Sequence, residues 1–135
     1  MSLQLSVAAR NARLDAVESA IGVDAVLKIF EGSLPANCAA ADDGTVLTTL
    51  ALPTDYLAAA AGGSKAKSGT WQDASADATG TAQYFRLYAS DGVTCHLQGT
   101  VTVTGGGGDM TVQNTSFAET QQFTITGFTL TDGNA

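Results

Sequence analysis

Basic residues run out after Arg86: no Lys or Arg occurs from Leu87 to Ala135, while Asp91, Asp109, Glu119 and Asp132 remain. Over the whole chain six Lys and Arg face thirteen Asp and Glu, a net charge of −7. Proteins hold phosphate backbones through Lys and Arg that displace counterions, so direct nucleic-acid binding is not expected. Nor is there a polybasic patch for an anionic membrane surface. Charge of either sign is scarce, at 14% of residues against roughly 25% in ordinary soluble domains. His96 is the only histidine, which excludes a multi-histidine metal site. There is no G-x-S-x-G, no HExxH and no paired CxxC. An enzyme is not expected, and neither a cofactor nor a metal is implied. No stretch approaches the ~18 apolar residues of a membrane span. The opening apolar residues are broken by Arg10, Asn11, Arg13 and Asp15, so no signal-peptide core is read there. Folding in a cytoplasm is therefore expected, with Cys38 and Cys95 as free thiols.

What the chain does have is a core. Its 135 residues are 44% hydrophobic, enough for one domain that folds without disulfides or metal. Thr, Ser, Asn, Gln and Gly supply the polarity, as suits hydroxyl-covered β-sheet faces. Residues 5 to about 21 read as a helix, with Ser6 as N-cap and Gly22 as the stop. Leu3, Val7, Leu14, Val17 and Ile21 form a narrow stripe at helical spacing. Such a stripe can pack on the chain's own β-domain or dock on another subunit. These five residues are the candidate partner contact, and residues 1–22 a docking or oligomerisation segment ahead of a single β-domain at 23–135.

Beyond Gly22 the apolar period changes from helical to two. AVLKIFEG, TVLTTLAL and TAQYFRLYA read as strands, and TDYLAAAAGG as a short helical turn or an apolar loop. In the run Val93–Thr104, the residues Val93, Cys95, Leu97, Gly99, Val101 and Val103 are expected to point inward. Phe123 and Ile125 are out of phase with Phe128 and Leu130, which places a β-bulge at Gly127. The predicted architecture is mainly β: an antiparallel sandwich or barrel of about seven strands preceded by one N-terminal α-helix.

Four glycines, Gly105–Gly108, separate two alternating runs. A phosphate loop would need a helix and a Lys behind them, and a calcium β-roll would need tandem copies with Asp one place later. The expected role is a wide hairpin connection between two strands of one sheet. Cys95 and His96 are adjacent in a strand and point to opposite faces, which rules against a nucleophile pair. Asp42, Asp43, Asp55, Asp73 and Asp77 read as turn chemistry, their spacing matching no calcium loop. Tyr84, Arg86 and Tyr88 share one strand face. If exposed, it could stack on sugars or a partner; otherwise it forms a second packed layer or lies under the helix.

Several segments carry a family resemblance: SVAARNARLDAVESAIG, PANCAAADDGTVL, SGTWQDASADATGTAQYFRLY, GTVTVTGGGGDMTVQN and ITGFTLTDGNA. From Ser6 to Ala135 the chain resembles small virion structural proteins of tailed bacteriophages and prophages of proteobacteria. The resemblance implies a non-enzymatic protein made in the bacterial host cytoplasm and found in the virion, and it brings no catalytic residues. The preferred role is a capsid decoration protein that is a homo-oligomer and binds the major capsid protein or other virion proteins in many copies. The alternatives are a tail, baseplate or head–tail joining component, and a receptor- or glycan-binding module using the aromatic face or loop tips. On the docking reading, deleting residues 1–21 is expected to abolish assembly and spare the β-domain, as judged by circular dichroism and sedimentation.

Overall fold

The computed structural model describes residues 3–132. One helix, α1 (Val7–Ile21), precedes ten strands: β1 (Val26–Glu31), β2 (Thr45–Ala51), β3 (Ser64–Ala66), β4 (Gln72–Asp73), β5 (Gly80–Thr81), β6 (Tyr84–Tyr88), β7 (Cys95–Val103), β8 (Met110–Val112), β9 (Ser116–Phe117) and β10 (Phe123–Thr131). The chain is mainly β, in a sandwich-like packing, with one N-terminal helix. Five of the strands are long and match the expected runs; the others are two or three residues each.

The helix begins where a side chain can replace the missing backbone partner. Ser6 is extended, and its hydroxyl accepts a hydrogen bond from Ala9 N–H at 3.1 Å. It ends at Gly22, which takes a φ of 85° and returns its N–H to the Glu18 carbonyl.

The large sheet runs β2-β1-β6-β7-β8-β10-β3, and β4 pairs with β10 beside it. It curls until its ends approach: Asp77 N–H donates to the Leu47 carbonyl of β2, and Thr48 Oγ1 donates to the Asp73 carboxylate of β4. Such curling leaves few free edges. The enclosed core contains Leu27, Ile29, Leu47, Trp71, Phe85, Leu87, Met110, Ile125 and Phe128 among others. Trp71 lies in its centre, its ring 5.6 Å from that of Phe128, and its indole N–H reaches the Ser68 carbonyl.

One pairing departs from the antiparallel expectation. Strands β7 and β8 run parallel, with Val101 opposite Met110 and Val103 opposite Val112. The four-glycine segment is thus a return loop and not a hairpin. It doubles back over β7 within six residues, where parallel strands normally need a long crossover. Glycine makes this possible: a Cβ on Gly106 or Gly108 would stand 2.8 Å from Thr102 side-chain atoms, and Gly105 and Gly107 take φ of 88° and 83°. Thr102 Oγ1 accepts from Gly108 N–H, and Asp109 Oδ2 accepts from Thr100 N–H. The loop is pinned to the strand it leaves.

Three bulges set the phases of the long strands, one of them at Leu47 of β2, where Ile29 pairs with Thr48 but Phe30 with Val46. At Gly127 the register slips between Ile125 and Gly127, as the sequence predicts. The bulges at Leu47 and in β7 were not foreseen. Leu87 pairs with Leu97 but Tyr88 pairs with Cys95, so His96 is the extra residue. Leu97 and Val101 therefore face the main core, while Cys95 packs with Phe30, Tyr84 and Tyr88 on the opposite side. Val93 and Val103, expected inside, are exposed. The TDYLAAAAGG segment contains no helix; it is an apolar loop held by isolated bridges between Leu57 and Lys67 and between Ala61 and Ser64.

Candidate functional site

The predicted contact stripe does not act as one surface. Leu14 and Ile21 are buried and Val17 is half-buried, with Ile21 and Val17 packed into the β-domain core. Leu14 and Ile21 cannot serve as partner contacts while the helix is docked. Only the N-terminal part of the stripe is free, with Leu3 80% and Val7 48% exposed.

Polar contacts explain why the helix lies where it does. Lys65 of β3 is buried, and its ammonium meets Asp15 at 2.6 Å and Glu18 at 2.8 Å, both on α1, and donates to the Ala58 carbonyl. A buried cation is tolerated only when paired and hydrogen-bonded. Burial pulls the Lys65 pKa down, but the two carboxylates outweigh it and hold it above its usual value. The hydrogen bond from Lys65, joined by Ala60 N–H, lowers the pKa of Asp15. Arg13 pairs with Asp132 at 3.2 Å, and Asn11 accepts from Gly63 N–H. Tyr56 donates its hydroxyl proton to the Gly22 carbonyl, and burial raises its pKa to about 12.

A second polar cluster covers the aromatic face. All five residues of β6 are buried, because the loop of residues 32–44 folds across the outer side of the strand. The cover is this loop, not the helix. Arg86 is 2% exposed and spends its guanidinium on three partners: Asp42 at 2.7 Å, the Asn37 carbonyl at 3.0 Å and Gln98 Oε1 at 3.1 Å. Tyr88 donates to the same Asp42 oxygen, and Gln98 Nε2 reaches the Pro35 carbonyl. Tyr84 hydroxyl donates to the Asp43 carbonyl and accepts from Asp43 N–H. Its ring stacks on Phe30, 4.6 Å between centroids and 3° from coplanar. Burial and the Asp42 charge push the Tyr88 pKa well above its ordinary value.

The neck of this loop is closed by glycines. A Cβ on Gly44 would stand 1.9 Å from the Glu31 carbonyl oxygen, at a φ of +80°. Gly32 sits opposite, close against Asp43. The aromatic face is therefore an internal packing surface and offers no platform for sugar stacking.

The remaining candidate residues do not gather into a reactive site. Asp42 and Asp43 hold the loop down, while Asp73 caps the turn at Ser75 and accepts from Thr48. Among the described residues, no group of three or more His, Cys, Asp or Glu is placed to hold a metal ion. Cys38 and Cys95 are free thiols, both half-buried. Burial, and then a hydrogen bond with Cys38, pushes the Cys95 thiol up to about 11, which keeps it protonated and poorly nucleophilic near neutral pH. His96, the extra residue of the β7 bulge, is exposed. No helix of the described residues is long and apolar enough to cross a membrane.

The open surface carries exposed carboxylates such as Asp24, Asp55, Asp77 and Glu119, and beside them a hydroxyl-rich patch. Thr100, Thr104, Thr126, Thr129 and Thr131 are exposed on β7, β10 and the return loop. Thr126 Oγ1 bonds to both Thr104 Oγ1 at 2.8 Å and Thr111 Oγ1 at 3.0 Å. In comparisons with known proteins, no family model, no curated protein and no solved structure matches this chain. The resemblance to phage structural proteins rests on the quoted segments alone.

Three expectations follow. The deletion of residues 1–21 will destabilise the β-domain rather than spare it. It uncovers Lys65 and loses the burial of Leu14 and Ile21, roughly 3–6 kcal/mol at ~1.5–3 kcal/mol per side chain, readable by urea denaturation. Helix docking will depend on acid through Asp15. Its lowered folded pKa means that its contribution is present above the unfolded value of ~3.9 and is lost as pH falls through the folded value. Asp15→Asn should flatten that limb of a Tm-against-pH curve. Arg86→Ala will leave Asp42 with its Tyr88 hydrogen bond alone and the Asn37 carbonyl without its guanidinium donor, at a cost of about 1–3 kcal/mol. Hydrogen exchange across residues 33–43 should accelerate in that variant, and unchanged exchange would show that the loop is held by other contacts.

Proposed function

We propose that this chain is a non-enzymatic structural protein of a bacteriophage virion, a capsid decoration protein present in many copies on the head. The observation that carries the reading is the way the fold uses its reactive-looking side chains. Arg86, Tyr84, Tyr88, Asp42, Lys65, Asp15 and Glu18 are committed to holding the loop and the helix onto the β-domain. The surface left over includes a hydroxyl-rich sheet face and an uncharged N-terminal segment with an exposed Leu3, materials of protein–protein contact. Lattice display would turn weak single contacts into firm attachment by avidity. Partners on this reading are the major capsid protein and sister copies of the chain. The acidic balance of the chain, net −7, suits an outward, solvent-facing position.

A tail, baseplate or head–tail joining role draws on the same features and differs in copy number. A glycan-binding role loses its main support, because the aromatic face lies under the 32–44 loop. Quantitative mass spectrometry of purified virions against the major capsid protein separates these readings. A ratio near one, or a simple fraction of one, supports decoration. A ratio of a few per cent moves the chain to the tail or the junction, and absence from virions overturns the structural role.

A further inference from the structure

Strand β8 is too short for the sheet it belongs to. It bridges β7 only at Val101–Val103 and β10 only at Ile125–Phe128. Where it stands, β7 and β10 are separated by one strand, about twice the ~4.8 Å ladder spacing. Beyond it the two strands continue, with no strand between them among the described residues. The result is a cleft of about 380 Å³ lined by Phe85, Leu97, Gln98, Phe128, Leu130 and Thr131, among others.

The edges of this cleft carry unused hydrogen-bonding capacity. Val101 N–H donates to Gln83 on the β6 side, so by strand alternation the backbone groups of Gln98 and Thr100 face the cleft. Thr100 N–H is met by Asp109, which closes one end. Across the gap, Phe128 O accepts from Lys67 and Asp132 N–H donates to Gly63, both on the β3 side. The same alternation turns the backbone of Thr129 and Thr131 into the cleft. Among the described residues no strand pairs with β7 at Cys95–Thr100 or with β10 at Thr129–Thr131 on these edges. Beneath them lies an apolar floor, where Phe85 and Phe128 meet edge to face at 5.5 Å. Paired backbone edges over an apolar floor are what an extended peptide needs: main-chain bonds on both sides and pockets for every second side chain.

We infer that the cleft receives the segment Leu3–Ser6 of a second copy of this chain, which completes the sheet as an added strand. The segment is outside the helix and extended at its Ser6 end, and Leu3 is 80% exposed. Its sequence alternates: Leu3 and Leu5 suit the apolar floor, while Gln4 and Ser6 suit the threonine-lined outer rim. It has no charge to bury. It also leaves the body at the right end of the molecule. Arg10, one helical turn past Ser6, donates to the Asp132 carbonyl, one residue beyond Thr131 of the cleft wall. Two copies can therefore exchange segments reciprocally about a two-fold axis. The strand pairs parallel with one wall and antiparallel with the other, since β8 does the same. This exchange stands or falls apart from the virion role proposed above.

The test uses the full chain and its Leu3→Asp variant, whose folding is checked by circular dichroism. Sedimentation velocity across a concentration series should show a dimer for the parent, with at least tenfold weaker association in the variant. Hydrogen exchange should show the amides of Gln98, Thr129 and Thr131 slowing with concentration in the parent only. A synthetic peptide of residues 1–8 added to the Leu3→Asp protein should protect the same amides. A parent that stays monomeric, an association untouched by Leu3→Asp, or protection confined to other segments would each overturn the exchange. Peptide protection of a parent that never dimerises would also overturn it, and would assign the cleft to a strand from a different protein.

Discussion

Strand β6 is buried on both faces, and most of the molecule is arranged to make that possible. Phe85 and Leu87 point into the enclosed core, which is the ordinary requirement of a strand in a closed sheet. Tyr84, Arg86 and Tyr88 point the other way and would leave a guanidinium and two phenols on the surface. Instead the 32–44 loop covers them. A buried guanidinium demands several acceptors, and the loop supplies them through Asp42 and the Asn37 carbonyl, with Gln98 from the neighbouring strand. The Gly32–Gly44 neck, the Tyr84–Phe30 stack and the bulge that turns Cys95 toward the loop follow from the same constraint.

The helix is attached by the same device on another flank. Lys65 is buried between β3 and α1 and takes two carboxylates from successive turns of the helix. An apolar stripe alone would leave the docking angle loose, since hydrophobic contact has little direction. Paired charges in a desolvated position add direction to it. The polar groups that look available for chemistry are thus occupied by architecture. The molecule's surface for partners is left to threonines, glycines, scattered carboxylates and a short uncharged arm.

The return loop after β7 links architecture to assembly. By folding back over Thr102 within six residues it starts β8 late, at Met110, in parallel with β7. A hairpin there would have given a longer antiparallel partner and a filled sheet. The tight loop leaves β7 and β10 apart at Leu97 and Leu130, with backbone groups facing an open cleft. The compactness of one connection creates the incompleteness next to it.

By itself the sequence determined the local features: the Ser6 cap and Gly22 stop, the apolar runs of β1, β2 and β6, the bulge at Gly127, and the mainly β class. Each is dictated by residues within a few positions of one another, through φ freedom, capping or period. Tertiary structure alone decided the rest. Whether Tyr84, Arg86 and Tyr88 face water depends on a loop some forty residues earlier. Which half of the Leu3–Ile21 stripe is spent on the chain's own core depends on Lys65, far along the chain. The parallel sense of β7 and β8 depends on how closely four glycines can lie on Thr102. The amphipathic period reports that a face is buried but not against what, because burial is set by whichever segment arrives, and arrival is a long-range property of the fold.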